Sequence, residues 1–447
     1  MSISNALTRA ALVAALIAPA CLAPAAHASA RAPLYFDAGS AAVSDATRAT
    51  TLDRLDALGV RALRITLVWG AVAPDAGART RPAFDATDPN AYDWGGYGRL
   101  VDAAHARGWR VLITFSAPAP KWATAARTGR VTRPSAPEFG AFATAAGRRF
   151  GAAVSAWGLW NEPNHPRFLK PQYARGKLVA PGLYRALHQA GVRGLEAAGQ
   201  TEDTMLGGET APGGDRRTSI PPLQFLRAVY CKGCAKLRID GWAHHPYSNK
   251  RGPAYVPPDR DNVTIGVMAR LERALDRAGH RTTPVWVTEY GVQSTPDAML
   301  GVPLAQQAEF RSISERLLRA DPRVAATAQY LLTDDAALSG FQSGLITAGG
   351  RAKPSFDEFR LPLAVRRSGS TALLWGLVRP TIGTPTRVEV LARDRGSAHS
   401  TAVTTRPTDA TGTWTARLPY RAGRTWRVRW TAADGATYAG PPIRVYG

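Results

Sequence analysis

The sequence predicts an α/β fold, a (β/α)8 TIM barrel followed by a small C-terminal β-sandwich. Three observations predict it. From about residue 33 to 360, eight short apolar runs alternate with amphipathic helical stretches, the pattern of a parallel sheet covered by helices. Two of those runs lead into a glutamate, Glu162 and Glu289. After Leu361-Pro362 the pattern becomes short alternating segments parted by turn residues, as in an antiparallel sandwich.

The first 30 residues read as a secretory signal peptide. Arg9 is their only charge, Ala10 to Ala20 is apolar, and Ala28-Ser29-Ala30 offers small residues for cleavage. The protein is therefore expected to be secreted and extracellular. Cys21 leaves a lipoprotein anchor as the minor alternative. The apolar run is too short for a membrane span, and no later stretch is a candidate.

The barrel is expected over 31–362. Its strands are read at 34–37, 62–69, 110–115, 155–160, 204–209, 239–244, 284–289 and 326–331. Helices are read between them at 44–58, 97–106, 137–150, 182–198, 221–228, 263–278 and 303–319, with a last one near 355–359. Ser44 is expected to cap the first helix, and Ser135 to cap the third, where Pro137 and Glu138 follow. Gly59, Gly108, Gly199 and Gly279 stand where helices should end. A doubly wound open sheet is the runner-up, but no Gly-x-Gly-x-x-Gly follows the first strand.

The sandwich is expected over 363–447, with strands at 372–378, 387–392, 401–405, 413–418, 426–431 and 443–446. Trp375, Trp414, Trp426 and Trp430 read as its core, so bracing the barrel is favoured over binding sugar. Of 447 residues, 45% are hydrophobic, enough for a core of this size. The formal charge of +22 comes mostly from scattered arginine. It reads first as a solvated surface and second as attraction to an anionic cell wall. No nucleic-acid-binding motif accompanies it.

Cys231 and Cys234 are expected to form a local disulfide in an oxidising compartment. The redox reading of Cys-x-x-Cys lacks its βαβ context, and a zinc site lacks further ligands. No metal or cofactor is required, and a monomer is expected.

Loops at the C-terminal ends of barrel strands build active sites. Glu162 follows the fourth strand and Glu289 ends the seventh, on opposite sides of one mouth. Paired carboxylates so placed suit glycosidic cleavage, in which one protonates the leaving oxygen and the other attacks the anomeric carbon. Trp160-Asn161-Glu162-Pro163 resembles the acid/base motif of clan A glycoside hydrolases, the retaining (β/α)8 glycosidases. Thr288-Glu289-Tyr290-Gly291 resembles their nucleophile strand. The resemblance is cellulase-like, related to family five or family thirty-nine, and covers the barrel in order.

It implies that Glu162 is the general acid/base and Glu289 the nucleophile, with Asn161 on the sugar 2-hydroxyl. His244-His245-Pro246-Tyr247 is similar to the family's His-x-Tyr. Tyr247 would then donate to the nucleophile, and His245 would orient the site or bind sugar. Arg64 resembles the strand-two arginine that buttresses the nucleophile. A cation beside Glu289 would keep it ionised, and a drier setting would keep Glu162 protonated. Two departures stand out: Phe115-Ser116-Ala117-Pro118 replaces a histidine near strand three, and no tryptophan ends strand eight.

Trp69, Trp122 and Trp242 lie near strand tips and are the candidate sugar platforms. Trp286, out of phase with Glu289, should pack against helices. His244 is read equally as a buried bonded residue or a ligand. Glu209 could bind substrate, its direction left open by the glycine-rich run around it. Asp334 and Asp335 read as exposed loop charges.

The expected function is retaining hydrolysis of a β-linked oligo- or polysaccharide. The alternatives are a carbohydrate- or wall-binding protein with weak or lost catalysis, and a transglycosylase.

Overall fold

The computed structural model describes residues 33–125, 129–248 and 250–446; the signal-peptide stretch, with Cys21, lies outside them. Eight parallel strands close into a barrel. They are β1 (Leu34–Asp37), β2 (Ala62–Val68), β3 (Arg110–Ser116), β4 (Ala156–Gly158), β5 (Thr204–Thr210), β6 (Gly241–His244), β7 (Val285–Tyr290) and β8 (Val324–Tyr330). Each pairs with its sequence neighbour, and β8 closes on β1 through Leu34–Thr327 to Asp37–Tyr330. The covering helices are α1 (Arg48–Ala57), α2 (Gly95–Ala106), α3 (Ala136–Phe150), α4 (Ala180–Ala197), α5 (Pro222–Val229), α6 (Ala269–Arg277), α7 (Leu304–Ala320) and α8 (Pro354–Arg360).

The strands alternate cleanly through most of their length. Tyr35, Ala62, Leu112, Ala156, Leu206, Ala243, Ala326 and Ala328 pack together inside the barrel. Residues of opposite parity, such as Leu63, Ile65, Val111, Ile113 and Trp157, pack outward into the helix layer. Small side chains dominate the inner set because eight strands leave little room there.

The Ser135 hydroxyl accepts from the Glu138 N–H, as expected of a cap. Gly59, Gly108, Gly199 and Gly279 follow their helices with φ between 67° and 88°, the left-handed region that ends a helix. Ser44 does not cap α1, which starts at Arg48 after Thr47. The chain first coils into a short turn, Ser40–Val43, which Ser44 closes and which lines the mouth. β4 is half its expected length. From Leu159 the chain leaves the ladder, although the Asn161 N–H still reaches Phe115 O at 2.9 Å.

The C-terminal part is a sandwich of two four-stranded sheets. Its strands are β9 (Leu363–Ser368), β10 (Thr371–Leu377), β11 (Arg387–Arg393), β12 (Thr401–Pro407), β13 (Thr413–Pro419), β14 (Thr425–Thr431), β15 (Thr437–Ala439) and β16 (Val445–Tyr446). The sheet orders are β13-β10-β9-β16 and β12-β11-β14-β15. β9 and β15 escape sequence reading. β9 is buried over its first half and exposed over its second, so it shows no alternation, and β15 has three residues. Trp414, Trp426 and Trp430 fill the sandwich core. Trp375 does not; it is half-buried on the other face of β10.

Candidate active site

A cavity of about 1220 Å3 opens at the C-terminal ends of the barrel strands. Asp37, Arg64, Asn161, Glu162, Tyr247 and Glu289 lie on its wall. Strand alternation delivers some of them: Asp37 and Arg64 share the inward parity of Tyr35 and Ala62. The glutamates depend on breaks in that alternation. β7 and β8 shift register between Val287–Thr327 and Tyr290–Gln329, so Thr288 and Glu289 both reach the barrel axis. β5 and β6 shift between Gly207 and Thr210, where Gly208 has φ 89° and Glu209 φ 49°. Glu162 has φ 40°, and its N–H bonds to Glu209 O at 2.9 Å. A non-glycine residue in the left-handed region costs of order 1–3 kcal/mol and persists only where its surroundings enforce it.

One arginine organises the floor. Arg64 Nη1 donates to Glu289 Oε1 at 2.7 Å and to Asp37 Oδ2 at 2.9 Å. Its Nη2 donates to Asn161 Oδ1 at 2.9 Å and approaches Glu209 Oε2 at 3.5 Å. The Tyr247 hydroxyl donates to the other oxygen of Glu289 at 3.0 Å. Burial, then the Glu289 charge, hold that phenol well above its ordinary range, so it stays a neutral donor. Burial also raises Asp37, and Arg64 offsets this only in part.

His245 is fully buried between two carboxylates. Its Nδ1 lies 3.0 Å from Glu162 Oε1, and its Nε2 lies 2.9 Å from Glu209 Oε2. Burial pushes the imidazole down, but Glu289 and the bonds to Glu162 and Glu209 raise it to about 10. The three carboxylates thus favour the charged imidazolium over the neutral ring. Glu209 is buried too. Burial opposes its charge, yet His245, Arg64 and Thr288 hold its carboxyl below the usual range. Glu162 is the wetter glutamate, its side chain 16% exposed against 9% for Glu289, which reverses the expected contrast in dryness.

Glu162, His245 and Glu289 each present a donor atom, all within 4.8 Å of one another. A cation held there would have to displace the proton from His245, since a metal ligates only a neutral ring nitrogen. Arg64 already brings a positive charge to Glu289.

The three candidate platforms lie elsewhere. Trp69 and Trp242 carry the outward parity of their strands and are wholly buried. Trp69 stacks on Phe142 with ring centroids 5.5 Å apart, and Trp242 packs against Tyr230. Trp122 sits in the same cluster as Trp69, its Nε1 donating to Pro74 O. The aromatic rings on the cavity wall include Tyr97, His165, Phe168, Tyr247, Tyr330 and Phe341. Tyr330 ends β8, where the resemblance led one to look for tryptophan.

Trp286 faces inward, 5.9 Å from the Tyr35 ring; Glu289 is the residue that breaks phase. His244 is buried and bonded to Thr210 Oγ1 and Val263 O. Asp334 is buried against the Lys353 ammonium at 2.7 Å, so it ties down the loop after β8. Cys231 and Cys234 are bonded to each other in the loop after α5.

No family model matches this sequence, and no curated protein matches it. Solved structures match its fold. A glucosidase from Croceicoccus marinus superposes with TM-score 0.57 at 14% identity, over 89% of this chain and 95% of that one. GH5_18 from Streptomyces cattleya, in complex with GlcNAc, gives 0.51 at 17% identity, over 73% and 79%. At such identity the likeness speaks for the barrel architecture.

Proposed function

We propose that this chain is a secreted retaining glycoside hydrolase that cleaves β-linked oligo- or polysaccharides by double displacement. The spacing of the two glutamates carries the reading: an oxygen of Glu162 and one of Glu289 lie within 4.8 Å across one cavity. Retaining hydrolysis works with carboxyl groups about 5–5.5 Å apart, whereas inversion needs about 6.5–9.5 Å to admit a water.

Glu289 attacks the anomeric carbon. Arg64 and Tyr247 each hold one of its oxygens, so little reorganisation precedes attack. Glu162 gives its proton to the glycosidic oxygen as that C–O bond breaks, and the alcohol leaves. Glu162 then takes a proton from water, the hydroxide oxygen bonds to the anomeric carbon, and Glu289 is released. Asn161 spends Oδ1 on Arg64, which leaves its amide NH2 to donate to the sugar 2-hydroxyl. Tyr330, Phe168 and Phe341 line the cavity and are the aromatic side chains proposed to contact the sugar ring.

The names of the fold neighbours, a glucosidase and a protein holding GlcNAc, agree with a sugar in this mouth. Secretion rests on residues 1–30 and agrees with the Cys231–Cys234 bond. Among the described residues, no helix is long and apolar enough to cross a membrane.

Glu289→Ala is expected to abolish turnover of aryl glycosides, and added azide to restore it as a glycosyl azide of inverted configuration. Full activity in that variant, or an inverted first product from the unaltered enzyme by NMR, would overturn the reading.

A further inference from the structure

We propose that Glu209 is a positioning residue that keeps His245 a hydrogen-bond donor to Glu162, so that the proton of Glu162 is delivered to the substrate and not to the imidazole. The proposal rests on the hydrolase reading and extends it to a residue beneath the reacting pair.

Glu209 does not line the cavity, yet the site is built around it. Its Oε2 receives the Thr288 hydroxyl at 2.8 Å and faces His245 Nε2 at 2.9 Å. Its Oε1 receives the Thr114 hydroxyl at 3.1 Å. Its carbonyl receives the N–H of Glu162. Room for its carboxylate comes from Gly158, whose missing Cβ would lie 2.4 Å from Oε1. Glu162 and Glu209, at neighbouring strand ends, are both in the left-handed region. A solvated side chain would need none of this.

The chemistry follows from the two ring nitrogens. With an ionised carboxylate below, Nε2 carries a hydrogen, and the doubly protonated ring donates Nδ1–H to Glu162 Oε1. The catalytic proton of Glu162 then resides on the other oxygen, free to reach the glycosidic oxygen. A neutral His245 could offer Nδ1 as an acceptor and draw that proton away from the substrate. Other charged and titratable groups face the pair: Arg64 from β2 and Glu289 from β7. His244 turns outward to Thr210 and Val263 and takes no part.

Glu209→Gln keeps the size and removes the charge. In that variant, 15N NMR of the unliganded protein is expected to show His245 titrating at least one unit lower than in the unaltered protein. kcat/KM is expected to fall about tenfold or more for alkyl glycosides, which need an acid, and to change less than threefold for a dinitrophenyl glycoside, which does not. Thr288→Val, which removes one support of Glu209 and His245, should move both readouts the same way by less, and serves if the glutamine variant folds poorly. An unchanged His245 titration, or equal losses on both substrates, would overturn the proposal. If the unaltered protein hydrolyses no glycoside, the hydrolase reading falls, while the NMR titration still decides whether Glu209 controls His245.

Discussion

Tyr247 reaches Glu289 through a single hydrogen bond of 3.0 Å, in a site where a bond to a charged acceptor is worth about 1.5–3 kcal/mol. Tyr247→Phe should lower kcat about tenfold to a hundredfold, with KM and melting temperature close to the parent's. Steady-state kinetics on an aryl glycoside check this, and an unchanged kcat would remove Tyr247 from the machinery. Arg64, Asn161, His245 and Tyr247 were legible in the sequence because residue type and place along the chain coincide there. Glu209 was not, because alternation from Leu206 and Gly208 points it outward and only the bulge turns it in. The tryptophans misled for the opposite reason. Their type suggested sugar, while the parity of Trp69 with Leu63, Ile65 and Leu67 already directed it to the helix layer.

The elements carry the same lesson one level up. All eight barrel strands could be read to within two residues at each end because they are apolar and bounded by glycine-ended helices. β4 alone came out at half its expected length, since its apolar run continues past the point where the backbone leaves the ladder. Position 158, the last of β4, is glycine because a Cβ there would meet Glu209 Oε1 at 2.4 Å and Thr114 Oγ1 at 2.7 Å. Both obstacles are buried and hydrogen-bonded, so neither can swing aside. Gly158→Ala should therefore cost about 1–3 kcal/mol, as overpacking does, and displace Glu209 from His245. Chemical denaturation and activity measure the two effects. A variant with parental stability and full activity would show that the contact is slack. A charged sequence such as Arg366-Arg367-Ser368 hides β9, whose pairing with β10 is evident only once the sandwich is assembled.

At the scale of the molecule, barrel and sandwich meet through buried charge. Arg379 lies just past β10. It donates two bonds from Nη2 to Glu315 on α7, at 2.7 and 2.6 Å, and one from Nε to Phe359 O at 2.9 Å. Its guanidinium lies 4.0 Å from the Phe359 ring centroid. Burial lowers the arginine, and Glu315 works to keep it charged. Nearby, the Ser312 hydroxyl accepts from the Leu363 N–H at 3.0 Å, and Glu309 pairs with Arg444. None of these residues lines the cavity, so the contact should brace the fold without touching the chemistry. Replacing both members of a buried ion pair by apolar groups can be neutral, but removing one strands the other, at about 3–5 kcal/mol. Arg379→Met leaves Glu315 with Arg311 and Arg319, so the lower end of that range applies. The expected outcome is a clearly lower melting temperature with unchanged kcat/KM at 25 °C. A parental melting temperature would mean that the sandwich lends the barrel no stability through this arginine, and a fall in kcat/KM without one would mean that the interface reaches the mouth.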